Sequence, residues 1–439
     1  MTNLRPTSIS RIRMGAATAA IALAGLLGVL ATQSVQAQTY QILYDFGSNC
    51  GQQYPCTDGA YPRAGLLRDS AGNLYGTTYF GGVTCKESPT FGCGVVFKID
   101  AKGVFSDVYR FKGGRDGGLP LAGLVMDKHG NLYGSTSFGG RDFAQFCRLG
   151  CGTVFKIDSN GSETVLVRFA QSGGGFYSSA RVEHDSAGNL YGTTTYGGNQ
   201  KGQCADIGCG TVFQLTPQRK PIVLHRFRGG ADGRNSETGV IRDAARNFYG
   251  TTAGGGHMDN NNCPDGCGTV FKVDQKGHWT VLYAFMGGSD GAFPSAGNLI
   301  LDSSGNLYGA TYAGGITACG SIGNQSCGTI FKIDPSGKET VLYRFANTVD
   351  GSGPLGGLTR DAQGNLYGTT FNGGTFFCDP DNCGTIFKVD PNGKKTTLYN
   401  FDGIVGAGPN SDLVMDAAGN LYGTAIGGGH QGVVFELTP

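Results

Sequence analysis

Six charged residues interrupt an otherwise repetitive chain: Arg63, Arg181, Glu183, His184, Arg234 and Glu237. The stretch Ala180-Arg181-Val182-Glu183-His184-Asp185 stands where other copies carry an apolar run with an Arg or Met before the aspartate. The link before it, Gln171 to Tyr177, has lost its Asp-Gly, and the next link carries Arg234 and Glu237. Brought to one place, such groups could hold a polar ligand by charge-assisted hydrogen bonds or transfer a proton. The plainer alternative is a set of ion pairs between neighbouring repeats. Other catalytic patterns are thin. The six histidines are His129, His184, His225, His257, His278 and His430, and no HExxH occurs. The Gly-rich stretches lead into strands, not into the helix N-terminus that a phosphate cradle needs. No metal set or cofactor motif is read, so neither is expected.

The fourteen cysteines form close pairs: Cys50/Cys56, Cys85/Cys93, Cys147/Cys151, Cys204/Cys209, Cys263/Cys267, Cys319/Cys327 and Cys378/Cys383. An even count in local pairs predicts disulfides. Tetrahedral zinc would need two pairs brought together, and these lie far apart in sequence. A repeated aspartate (Asp69, Asp127, Asp185, Asp243, Asp302, Asp361 and Asp416) precedes a Gly-Asn or its variant. One carboxylate per turn is too few for calcium, so these read as turn caps.

The elements that carry these residues follow from an internal repeat. The asparagine of GNLYGTT recurs at positions 73, 131, 189, 247, 306, 365 and 420, with spacings of 55 to 59 residues. Each unit holds four short apolar runs, typified by AGLVMD, GNLYGTT, GTVFK and TVLYRF, divided by Gly, Asp, Asn and Pro. These are strand and turn signals, with no sustained helical period. Seven such units predict an all-β, seven-bladed β-propeller with four-stranded blades. The chain after residue 37 begins in a fourth-type run, Tyr40 to Phe46, and ends in a third-type run, Gly432 to Phe435. The N-terminal strand is therefore expected to complete the last blade and close the ring, leaving no free edge.

Tyr75 and its six counterparts, with two phenylalanine series typified by Phe97 and Phe111, read as packing layers between blades. Connections alternate in length. The turns after the first and third strands are short, whereas the cysteine-bearing loops and the blade-to-blade links are long. In an up-and-down blade the long ones share a face, the expected seat of binding.

Together the GNLYGTTxxGG, GTVFK and TVLYxF motifs resemble the GloVer-type tandem repeats of exported bacterial proteins, mostly of unknown function. The resemblance covers nearly all of the chain after residue 37. It implies a propeller-like repeat and an extracytoplasmic address, but no activity.

Residues 1–37 read as a secretory signal peptide, with Arg5, Arg11 and Arg13 before an apolar run and Val35-Gln36-Ala37 at the cleavage site. Residues 38–439 are then one propeller domain. No later run of 18 apolar residues occurs, and no C-terminal anchor is read, so a secreted or periplasmic monomer is expected. A formal net charge of +1 gives no reason to expect nucleic acid as a partner. The expected function is binding of a cell-surface glycan or a protein on the long-loop face. The alternative is a channel-centred hydrolase or lyase acting on a carbohydrate or lactone.

Overall fold

The computed structural model describes residues 38–48, 50, 54–140, 147–170, 174–258, 263–294, 296–315, 327–346, 349–376, 378 and 383–438. The signal-peptide reading of residues 1–37 lies outside them.

Each blade is built from its sequence motifs in chain order. The second blade shows the plan. Its strands are Val125–Met126, Leu132–Thr136, Thr153–Ile157 and Glu163–Arg168, each hydrogen-bonded antiparallel to the next. Between the first two strands, the Asp127 carboxylate accepts the backbone N–H groups of His129 and Asn131 on one oxygen. Its other oxygen accepts the Asn131 amide and the Tyr133 hydroxyl. The Tyr-to-Asp bond recurs in all seven blades, at 2.9–3.3 Å. Burial pushes the Asp127 carboxyl up, but the donors outweigh it and hold it at about 2. The repeated aspartate is thus a turn cap that also anchors the repeated tyrosine.

The glycine inside GNLYGTT has a packing cause. Gly134 lies opposite Phe155 across the ladder, and a Cβ on it would meet the Phe155 ring at 2.6 Å. The third strand's phenylalanine lies across this gap and reaches the preceding blade. Phe155 meets Phe111 edge to face at 5.1 Å, and the same pairing joins every pair of neighbouring blades. Nearly all of these rings are excluded from solvent. A register shift between the third and outer strands of all seven blades turns two successive outer-strand residues, such as Val108 and Tyr109, toward the next blade.

The ring closes as expected. Thr39–Asp45 pairs antiparallel with Val433–Thr438 and forms the outer strand of the seventh blade. All seven blades belong to one compact unit, Gln38–Pro439. No helix among the described residues is long and apolar enough to cross a membrane. Six disulfides join the expected pairs from Cys50–Cys56 to Cys378–Cys383. Cys327 is also disulfide-bonded, and its sequence partner Cys319 lies outside the described residues.

Candidate functional site

Antiparallel order puts the blade-to-blade links and the cysteine loops at one end of the channel. There each link turns inward through a residue with left-handed backbone. Tyr61, Leu119, Tyr177, Asn235 and Phe293 have φ of 55–61°, and glycine takes the position in the last two blades. Side chains rarely adopt this conformation, and a set of them at one repeat position marks a rim held in shape by its surroundings. What holds it is a pair of backbone bonds. The N–H of Tyr177 donates to the Cys151 carbonyl of the preceding blade, and its own carbonyl accepts from Thr195.

Two to four residues further on, the chain reaches the channel wall. The second residue of each inner run is glycine at Gly65, Gly123, Gly239 and Gly357, but it is Arg181, Asn298 or Asp412 in the third, fifth and seventh blades. Each of these larger side chains has glycine in both adjacent blades. The Asn298 Oδ1 accepts the Gly239 N–H at 2.8 Å, and the Asp412 Oδ1 accepts the Gly357 N–H at 2.6 Å. A Cβ on Gly357 would fall 2.6 Å from that same Asp412 oxygen, so the glycine is required by its neighbour. The Asp412 carboxylate also comes close to Gly297, two blades away.

Arg181, Asn298 and Asp412 line a cavity of about 170 Å³ at the channel mouth, together with Arg63, Glu237 and Asn410. All seven blades contribute to it. The Arg63 guanidinium lies 5.1 Å from the Tyr79 ring centre, yet its Nε is buried without a partner. The Asn410 Oδ1 is likewise buried and unpartnered. Glu237 keeps an open edge to solvent, but the mouth wall crowds its carboxyl enough to raise it above the ordinary glutamate value. Tyr177, beside it, is pushed up to about 12, first by burial and then by Tyr79, Tyr196 and Glu237, with Arg63 opposing.

Of the six residues singled out by sequence, Arg63, Arg181 and Glu237 meet here. No ion pair joins them among the described residues, so the inter-blade pairing offered as the plainer account does not describe them. The other three stand elsewhere. Arg234 pairs with Asp265 of its own blade's disulfide loop at 3.0 Å. Glu183 has the same strand parity as Arg181 but lies about 6.6 Å further along the strand. It is half-buried, and burial raises its carboxyl against the pull of Arg181, Arg242 and His184. His184 has the opposite parity and stacks on Tyr133 of the second blade at 5.3 Å, toward the tight-turn face. Asn298, Asp412 and Asn410 were missed. Aligning the second residue of the inner run across blades exposes the first two, because a polar residue there replaces glycine.

The fold and the mouth define a seven-bladed propeller with a polar channel opening on its long-loop face. A family model, the Gloeobacter/Verrucomicrobia repeat, matches residues 18–257, 145–322 and 202–435. The chain belongs to that family. No curated protein matches it. Among solved structures, two of the extracellular domain of BT4673 from B. thetaiotaomicron are similar, one described as part of a one component system and one as part of a hybrid two component system. Their TM-scores are 0.52 and 0.53 at 11% and 12% identity, over 90% and 89% of this chain. The chain spans 39% of the length of each. A protein described as a putative gluconolactonase aligns at a TM-score of 0.40 with 11% identity over 92% of both chains, too weakly to inform function.

Proposed function

We propose that this is an exported binding protein that holds a small polar ligand, the terminal sugar of a cell-surface glycan, in the channel mouth on its long-loop face. One observation carries the reading. Two residues that line the cavity each leave a buried polar atom without a partner, a donor in Arg63 Nε and an acceptor in Asn410 Oδ1. Unpaired buried polar groups are costly, and a molecule that both donates and accepts relieves both. Sugar hydroxyls do this, whereas a simple anion satisfies only the donor. At about 170 Å³ the cavity is below the ~300–1,000 Å³ typical of enclosed small-molecule sites, which suits one end of a longer chain. Export is supported by the disulfides, by the sequence of residues 1–37 and by the likeness to extracellular domains.

The alternative of a channel-centred hydrolase or lyase rests on Glu237, whose raised carboxyl would suit a general acid. One experiment addresses both. The protein is screened on a glycan array, and positive glycans are titrated against Arg181→Ala and Asn410→Ala. At least tenfold loss of affinity in each variant is expected, with no glycan consumed. Unchanged affinity in both variants would refute the site, and new reducing ends or unsaturated products would favour the enzyme.

A further inference from the structure

The third blade departs from the repeat at several positions, and these departures converge on one interface, on the face opposite the channel mouth. At three other interfaces an arginine of the next blade lies over the repeated tyrosine: Arg68 over Tyr422, Arg242 over Tyr191 and Arg360 over Tyr308, at 5.5–6.0 Å. Between the second and third blades the shorter His184 takes this place over Tyr133. At three other interfaces an aromatic residue at the start of the outer strand stacks on a ring of the preceding blade: Phe105 on Tyr44 at 4.0 Å, Trp279 on His225 at 3.9 Å and Tyr40 on Tyr399 at 4.1 Å. Here neither position is aromatic: Val167 stands in the preceding blade where Tyr44 and Tyr399 stand in theirs, and Pro221 begins the outer strand. The third-to-fourth-strand turn has also changed, to Thr216-Pro217-Gln218-Arg219, with Arg219 at φ 61° where most blades have glycine.

The consequence is a cavity of about 690 Å³ between these two blades, within the ~300–1,000 Å³ range of small-molecule sites. Leu166, Leu190, Leu215 and Pro217 give it an apolar wall, and Lys128, Lys156 and Arg219 also line it. Among the described residues none of these three cations has a carboxylate partner. Two carboxylates do line the cavity, Asp127 and Asp185, but each already accepts four hydrogen bonds from its own turn and tyrosine. The hydrogen bonds hold both carboxyls ionised but turn them to their own hairpins, so the lining carries three cations against two carboxylates that are already bonded elsewhere.

We infer that this groove is a second binding site, for an organic anion carried on an apolar body, such as an aromatic carboxylate. The apolar wall takes the ring system, and Lys156 and Arg219 meet the carboxylate. The site shares no lining residue with the channel mouth and does not depend on the glycan reading.

Calorimetric titration with 2-naphthoate, against the neutral 2-naphthamide, tests the inference. Naphthoate is expected to bind at least tenfold more tightly than the amide, and more weakly as salt is added. Lys156→Gln with Arg219→Gln should bring naphthoate down to the affinity of the amide. A thermal melt checks that this double variant is folded, and Arg181→Ala, at the other face, should bind naphthoate normally. Equal binding of acid and amide, no binding of either, or full affinity in the folded double variant would each overturn the inference. Loss of glycan binding in Arg181→Ala with naphthoate retained would separate the two sites.

Discussion

The N–H of Tyr177 in the third blade donates to the carbonyl of Cys151 in the second, at 2.9 Å. The same bond recurs from Leu119 to Cys93, Asn235 to Cys209, Phe293 to Cys267, Gly353 to Cys327 and Gly408 to Cys383. At the seventh-to-first junction, where the loop has no disulfide, Tyr61 uses the Gln431 carbonyl instead. The disulfides thus do more than shorten loops. Apart from Cys50–Cys56, each ends at the cysteine whose carbonyl carries the next blade's link, and so ties down the rim of the channel mouth.

Replacing Cys147 and Cys151 together by alanine should lower stability by about 2 kcal/mol from loop entropy alone. The bond to Tyr177 adds a local signature. Amide exchange at Tyr177 should accelerate well before global unfolding, while the equivalent N–H of Asn235 keeps its protection. Unchanged exchange at Tyr177 would mean that the carbonyl is held without the disulfide.

Two carboxyls should give stability an unusual slope near neutral pH. Burial, then the nearby carboxylates Asp116 and Asp290, push Glu163 and Glu339 up to about 7 from 4.5. Because their folded pKa is raised, the folded state holds more protons than the unfolded chain between these values. Their contribution is full below about pH 4.5 and is lost as pH rises through 7. The double variant Glu163→Gln, Glu339→Gln should have a higher urea midpoint than the parent at pH 8 and a similar one at pH 4.5. A parallel shift at both pH values would rule out titration as the cause.

Arg246 occupies a turn position that is glycine in the other six blades, with φ of 65° and an exposed side chain. The left-handed conformation costs an ordinary residue about 1–2 kcal/mol, and glycine gives back about 0.5–1 through unfolded-chain entropy. Arg246→Gly should therefore stabilise by about 0.5–1 kcal/mol, read from chemical denaturation. A destabilised variant would show that the arginine makes up its backbone strain through contacts.

Residues repeated in every blade were legible because repetition averages out local accident. The Asp-Asn turn, the tyrosine layer and both phenylalanine series could be placed on strands before any coordinates, as could closure by the N-terminal strand. The tyrosine's bond to its own aspartate was not read, although the six-residue spacing across a hairpin allows it. The candidate site was half legible. Arg63, Arg181 and Glu237 stood out by charge, whereas Asn298 and Asp412 did not, since their effect depends on the glycines beside them. His184 stands apart from them because strand parity, not residue type, sets which side it takes. In a strand, residues 181 and 184 point to opposite sides. The groove that His184 helps open depends on what is missing around Val167 and Pro221, and absence across two blades is hard to see in one repeat.

Ring closure supplies the last test. Phe46 is fully buried, lies edge to face on Phe97 of the first blade at 5.1 Å, and is the only one of its series reached through the N-terminal strand. Phe227 occupies the same position in the third blade, against Phe271. Truncating either to alanine should cost about 3–5 kcal/mol, since both lose a similar buried ring. Their local consequences should differ. The strand Thr39–Asp45 is covalently tied to the ring at one end only and pairs with one neighbour, Val433–Thr438. Phe46→Ala should therefore speed amide exchange across that strand in advance of global unfolding, by an opening that exposes the Val433–Thr438 edge. Phe227→Ala, in a blade covalently continuous at both ends, should leave exchange at Thr39–Asp45 tied to the global transition. Equal behaviour of that strand in the two variants would mean that the N-terminal strand unfolds only with the whole ring, and that closure is as cooperative as any other blade contact.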